Sequence, residues 1–257
     1  MKRFLSLLVA TLLVFSLLPT TSMAKSTRTI YLDPVSGSDS NNGLSEAAPV
    51  KTVAAAYTAL SGADEGTVVF LSTLSLSALT NFPATSIPVT LTSKTGAEGI
   101  SSSQNIYFKG PTTLENITLT SRATNGYTVL AGGGHPFTIG NGVNTVKTGS
   151  YYFSVCGGSN SGNCSGVELT MQSGSWQNVY IGSHGLRTVN GNCVANLSGI
   201  TLGGTLSVGY QANVTGNVTV SVTDSTIPSI YACATQATGS VGGNISVTLG
   251  TGAQITT

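Results

Sequence analysis

A motif that returns at a fixed interval constrains a chain severely, because every copy has to find the same local structure. Gly191-Asn192-Cys193-Val194-Ala195-Asn196-Leu197 lines up with Gly216-Asn217-Val218-Thr219-Val220-Ser221-Val222 and with Gly243-Asn244-Ile245-Ser246-Val247-Thr248-Leu249. The copies begin at 191, 216 and 243, steps of 25 and 27 residues. A second marker, an apolar strand ending in a small residue, recurs at Gly132, Cys156, Gly182, Gly209 and Cys233, with steps of 24, 26, 27 and 24. Alternating apolar runs at this period match one coil of a solenoid, in which each coil touches only its neighbours. The sequence therefore predicts an all-β fold, a single-stranded right-handed parallel β-helix with coils of about 25 residues.

Alignment of the copies assigns the inward positions. Val167, Leu169 and Met171 should stack on Cys193, Ala195 and Leu197, then on Val218, Val220 and Val222, then on Ile245, Val247 and Leu249. Trp176, Leu202 and Ile227 take the next inward position, which makes the single Trp a core residue. Gly and Asn enter left-handed backbone at low cost and so suit the corners between sheets. Asn192, Asn217 and Asn244 would then lie one coil apart, roughly 4.8 Å, close enough for their amides to bond along the column.

Only 7% of the residues are charged, the formal net charge is +1 and 40% are hydrophobic. That excludes a basic nucleic-acid binder and is too apolar for a disordered chain. Lys2 and Arg3 precede an apolar run over 4–18, followed by Pro19 and the small-residue site Ser22-Met23-Ala24, the pattern of a signal peptide over 1–24. The run is shorter than the ~20 residues of a membrane-spanning helix. No later stretch is long enough either, so the expected location is extracellular or on the cell surface. Cleavage after Ala24 leaves 8 of the 10 basic residues against 9 acidic ones, a charge of −1.

One segment reads as helix. After Pro49, residues 51–60 are Ala-rich and place Val53, Ala56, Tyr57 and Leu60 on one face. Residues 25–66 are expected to form an N-terminal strand, loop and capping helix, and 67–257 the coils. The last six residues, from Gly252 to Thr257, fall within an unfinished coil, which predicts truncation or an open end covered by further coils or a partner chain.

Thr29-Ile30-Tyr31-Leu32-Asp33-Pro34, the loop Ser36-Gly37-Ser38-Asp39-Ser40-Asn41-Asn42-Gly43, then Ala48-Pro49-Val50-Lys51-Thr52-Val53 and Gly66-Thr67-Val68-Val69-Phe70-Leu71 form a recognisable sequence of elements. It resembles the entry segment of the right-handed parallel β-helix, pectin lyase-like superfamily, over roughly residues 29–71. The later Gly-Asn repeats are similar to those of large bacterial surface proteins with tandem β-helix coils. The resemblance implies that the helix caps the first coil, whose edge and apolar cross-section would otherwise face water. It also implies polysaccharide lyase or glycoside hydrolase chemistry as an alternative function.

The residues for that chemistry are sparse. A lyase of this kind gathers carboxylates around Ca²⁺ beside a Lys or Arg, and hydrolysis needs two facing carboxylates. Within the aligned repeats, from Gly132 onward, the acids are Glu168 and Asp224, which fall in different columns about two coils apart. Asp33, Asp39 and Asn41 have a faint alternating-ligand spacing but read more simply as a turn held by Asx side chains. His135 and His184 lie in different coils, which disfavours zinc. No catalytic residue, metal or cofactor is assigned.

Four cysteines in an exported chain can oxidise, and three full pairings exist. Cys156 and Cys164 flank the loop 157–163 and form the best candidate disulfide. Cys193 sits in an inward column, and Cys156 and Cys233 are three coils apart, on the order of 14 Å.

A recognition surface belongs where coils vary, in the stacked loops 157–163, 183–190, 210–215 and 234–242. Tyr180 and Tyr231 share an outward column with Ser207 between them, so two exposed rings about 10 Å apart can stack on alternate sugar units. His184, Arg187, Tyr210 and Gln211 are the expected polar partners. The leading reading is a secreted or cell-surface non-catalytic protein for adhesion or glycan binding, with a polysaccharide or a host or cell-surface glycan as partner. A third reading, ice binding, requires Thr-X-Thr in register over successive coils, and Thr90/Thr92 and Thr118/Thr120 look too isolated.

Overall fold

Alternating residues in each repeat force one set of side chains inward, and parallel pairing with the next coil stacks those sets into columns. In the computed structural model, which describes residues 24–126, 128–159, 161–185, 187–209, 212–232 and 239–256, the chain is an all-β parallel solenoid. It has about 7 turns of roughly 26 residues and one short helix. The signal-peptide segment 1–23 lies outside the described residues.

Nine parallel strands form one long wall: Thr27–Leu32, Glu65–Phe70, Val89–Ser93, Thr112–Leu114, Phe137–Ile139, Val167–Met171, Cys193–Ser198, Val218–Thr223 and Ile245–Leu249. A second wall of seven runs from Thr80–Asn81 to Ser229–Tyr231. The third side changes partway along. Leu74–Leu76, Gly99–Ser102, Ile117–Ser121 and Val143–Lys147 form one sheet, and Ser175–Trp176, Thr201–Leu202, Thr226–Ile227 and Gln254–Ile255 form another. The strand Thr27–Leu32 is already the first rung of the long wall, and its partner Glu65–Phe70 crosses the boundary expected at 66/67.

The predicted inward columns are the observed ones. Val167, Leu169 and Met171 pair with Cys193, Ala195 and Leu197, these with Val218, Val220 and Val222, and these with Ile245, Val247 and Leu249. Trp176 is fully buried opposite Leu202, and its Nε1 donates to the carbonyl of Ser173 at 3.0 Å. In the last coil Ile245, Leu249 and Ile255 are exposed.

The Gly-Asn corners keep their place but work differently from expectation. The backbone N–H of Asn217 donates to Asn192 Oδ1, and that of Asn244 to Asn217 Oδ1, both at 2.8 Å. The column is thus linked side chain to backbone, rather than amide to amide. Asn192, Asn217 and Asn244 are not left-handed; among the described non-glycine residues only Asn116 and Asp224 have positive φ. Space is what selects glycine at 216 and 243. A Cβ at Gly216 would lie 2.4 Å from Asn192 Oδ1, and one at Gly243 2.4 Å from Asn217 Oδ1.

The second sequence marker was slightly out of register. Cys156 pairs with Ala131 and Tyr180, not with Gly132 and Gly182, and Cys233 lies outside the described residues. Small residues follow this strand at different offsets, so size alone does not define the rung.

The helix spans Val53–Ala59, shorter than the expected 51–60, because Lys51 and Thr52 are held by Asp39 before it begins. Asp39 Oδ1 accepts from both backbone N–H groups, Oδ2 accepts from Thr52 Oγ1, and Thr52 Oγ1 in turn caps Ala55 N–H. Ala56 and Leu60 are buried, as the helical face predicts. Tyr57 meets Phe82 edge-on at 6.2 Å, and Phe82, Phe108 and Phe137 continue the aromatic stack at 5.0 and 5.1 Å. The helix is therefore joined to three successive coils by ring contacts. Arg28 Nη1 donates to the carbonyls of Ala59 and Ser61 at its C-terminal end, where a cation suits the dipole.

Acid should loosen this entry loop. Burial pushes the Asp39 carboxyl up, but the bonds from Thr52 and Lys51 outweigh it and hold the group below its ordinary value of 3.8. Asp33 is held low in the same way, burial being outweighed by Ser72, Ser36 and Val35. Folded values below unfolded ones give stabilisation that is present above the ordinary value and lost as pH falls through the folded values. Thermal melts from about pH 6 down to about pH 2 should show a fall in Tm below about pH 4, smaller in Asp39→Asn. An identical profile in the variant would assign the acid response elsewhere.

Candidate functional site

The outward column predicted on the second wall exists, running Tyr107, Ala131, Cys156, Tyr180, Ser207 and Tyr231. It is not the open platform expected. Tyr180 is only 2% exposed and packs in a satellite cluster with Tyr107, Val129, Ala131 and Cys156, whereas Tyr231 is 39% exposed. Residues that follow each strand cover the wall: Ser159 and Ser183 are buried, and Ser159 N–H donates to Ser183 Oγ. The His184 ring lies 4.9 Å from that of Tyr180, and burial pushes its pKa down, which favours neutral imidazole. Of the expected binding residues the structure brings together Tyr180 and His184, leaves Arg187 exposed, and places Tyr231 two coils from Tyr180. Tyr210 and Gln211 lie outside the described residues.

The disulfide expected between Cys156 and Cys164 is not formed, and Cys193 is a free thiol as well. The two cysteines face different environments. Cys156 is in the satellite cluster, its Sγ directed at the carbonyls of Gly158 and Gly182 at 3.5 and 3.4 Å. Cys164 packs against the main core and bridges to Val189. Burial pushes the Cys156 thiol up to about 12, far from a reactive thiolate.

Glu168 and Asp224 are also apart. Glu168 pairs with Val194, which pairs with Thr219, while Asp224 follows the strand Val218–Thr223 in a positive-φ turn. Strand rise and coil spacing put the two carboxylates on the order of 15–20 Å apart, against roughly 6.5–9.5 Å or less for a glycosidase pair. Asp33 Oδ1 accepts from Val35 and Ser36 N–H and from Ser72 Oγ, and both Asp39 oxygens accept from Lys51 and Thr52.

The long wall carries a feature that the sequence reading missed. Thr29, Thr67, Thr90, Thr113, Thr138 and Thr170 stand in register on six successive strands, followed by Asn196, Ser221 and Thr248. All nine are exposed or half-buried, between inward residues such as Val68, Leu91, Leu114 and Ile139. Thr90, judged isolated by sequence, is the third rung. A signal was present, a Thr two residues after each of Pro88, Pro111 and Pro136, but steps of 38 residues from 29 to 67 and 32 from 138 to 170 hide the period.

Those prolines open successive rungs, their carbonyls accepting from Gly66, Val89 and Thr112 N–H. Beyond them a cavity of about 410 Å³ is lined by Gly134, Pro136, Ser165, Glu168, Asn192 and Val194. The wall thus combines a column of hydroxyl and amide groups with a concavity holding one carboxylate. That suits hydrogen bonding to a polyhydroxylated ligand. Compared with known proteins, the chain matches no family model, no curated protein and no solved structure.

Proposed function

We propose that the chain is a secreted or cell-surface, non-catalytic β-solenoid that binds an extended polysaccharide along the outer face of the long wall. The observation that carries this reading is the unbroken ladder from Thr29 to Thr248. A linear glycan offers hydroxyls at regular intervals, and a ladder with rungs roughly 4.8 Å apart offers partners at regular intervals. Thr is β-branched and stiff at χ1, so little side-chain freedom is lost on contact. The resemblance to the pectin lyase-like superfamily and to bacterial surface β-helix repeats belongs to the same proposal, as does export by the segment 1–24. The alternative, a polysaccharide lyase or glycoside hydrolase, is weakened by the separation of Glu168 and Asp224.

Retention on a panel of plant and host polysaccharides, with product release measured in parallel, tests the reading. The triple variant Thr113→Val, Thr138→Val, Thr170→Val keeps side-chain shape and removes three hydroxyls. It should lose about tenfold or more in retention with an unchanged Tm. Unsaturated or reducing-end products abolished by Glu168→Gln would replace binding with catalysis. Retention on ice in place of any polymer would assign the ladder to ice, although Tyr31, Val69 and Thr92, two residues along, do not make a second Thr ladder.

A further inference from the structure

Arg122 sits on a different side of the tube from the ladder, at the corner after the strand Ile117–Ser121. Its side chain reaches back over two coils, where Nη2 donates to the carbonyl of Leu76 at 2.6 Å. Nε is enclosed and has no hydrogen-bond partner, and the ion pairs among the described residues, Lys25 with Glu65 and Lys94 with Glu46, lie elsewhere. Arg122 is half-buried, and this Nε–H donor, shut away from water without an acceptor, is the part of its guanidinium left under-satisfied.

Beside it opens a cavity of about 490 Å³, within the range of small-molecule sites. Arg122 shares its lining with Ser103, Gln104, Asn105, Thr124, Asn125 and Thr128, none of these described residues a carboxylate. Asn105 is held in place, its Oδ1 accepting from Val129 N–H at 2.9 Å and its Nδ2 donating to Tyr107 Oη at 3.1 Å. The described lining thus sets one cation among groups that hydrogen-bond neutral hydroxyls.

We propose that this corner cavity binds a saccharide unit bearing one oxyanion, a carboxylate or a sulfate ester, with the oxyanion on Arg122 and the hydroxyls on the amide and hydroxyl lining. A guanidinium meets either oxyanion through two parallel bonds, a geometry that an ammonium cannot reproduce. The inference rests on the proposed function only in taking the ligand body to be a sugar. The Thr113, Thr138 and Thr170 variant leaves this cavity intact, so the two readings fail separately.

Calorimetric titration of the whole chain with glucuronate, galactose 6-sulfate, galactose and sodium sulfate tests it. At least one of the two acidic sugars should bind, which of them showing the source of the oxyanion, and galactose should bind about tenfold or more weakly. Arg122→Lys and Arg122→Gln should each lose about tenfold or more. Should the loss of the Leu76 bond unfold those variants, Thr124→Glu at the exposed rim leaves that bond in place and should cause the same loss. Binding of galactose as tight as that of the acidic sugars, sodium sulfate binding as tightly as the sulfated sugar, no binding of either acidic sugar, or unchanged binding in folded Arg122→Gln or Thr124→Glu each overturns the proposal.

Discussion

Trp176→Ala is expected to cost about 3–5 kcal/mol of stability. The side chain heads the fully buried residues by volume, and it stands where the third side changes sheets. Val143–Lys147 ends one sheet and Ser175–Trp176 begins the other, with Ser175 N–H donating to Thr145 Oγ1 at 2.7 Å across the gap. Gly174 makes room for the indole, since a Cβ there would lie 3.0 Å from Nε1. Truncation removes the filling of that junction and leaves the Ser173 carbonyl without its indole donor. Because coils touch only their neighbours, the loss should be graded along the axis. Urea unfolding followed by circular dichroism should report the destabilisation, and amide exchange should speed up most in the coils containing 143–147 and 201–202. A loss below about 1 kcal/mol, or uniform exchange along the tube, would contradict this view of the junction.

Gly216→Ala should follow, at about 1–3 kcal/mol, through crowding and not through backbone strain. Its added methyl would meet Asn192 Oδ1 at 2.4 Å and the Gly191 carbonyl oxygen at 2.6 Å. The same Oδ1 holds Asn217 N–H, so yielding to the methyl also weakens that bond between coils. Gly162 is the control. A Cβ there meets nothing within 4 Å, so Gly162→Ala should be neutral or stabilise by about 0.4–1 kcal/mol through the unfolded chain. Equal melting of the two variants would remove close packing as the reason for glycine at the corner.

The inward columns were legible because burial acts on identity at every second residue, and Val, Ile and Leu at matched positions leave a pattern that survives coils of unequal length. Val220 under Val247 and Trp176 under Leu202 follow from that pattern alone. The outer face leaves no comparable record. Many polar side chains suit water, so the importance of Thr67 or Thr138 shows only when each is seen against its neighbour on the next strand. Tyr180 shows the opposite failure. Its outward direction was correct, but direction does not determine exposure when residues such as His184 and Ser183 cover the wall.

Repeat spacing and alternation by themselves established the parallel winding and the inward set, and the apolar face after Pro49 the one short helix, since each depends on local periodicity and on neighbours one coil away. Tertiary structure alone decided the Thr ladder, the burial of Tyr180, the free thiols of Cys156 and Cys164, and the cavity at Arg122. All four depend on where insertions between strands place the chain across the outer surface. Burial energy constrains the interior of a solenoid strongly and those excursions weakly.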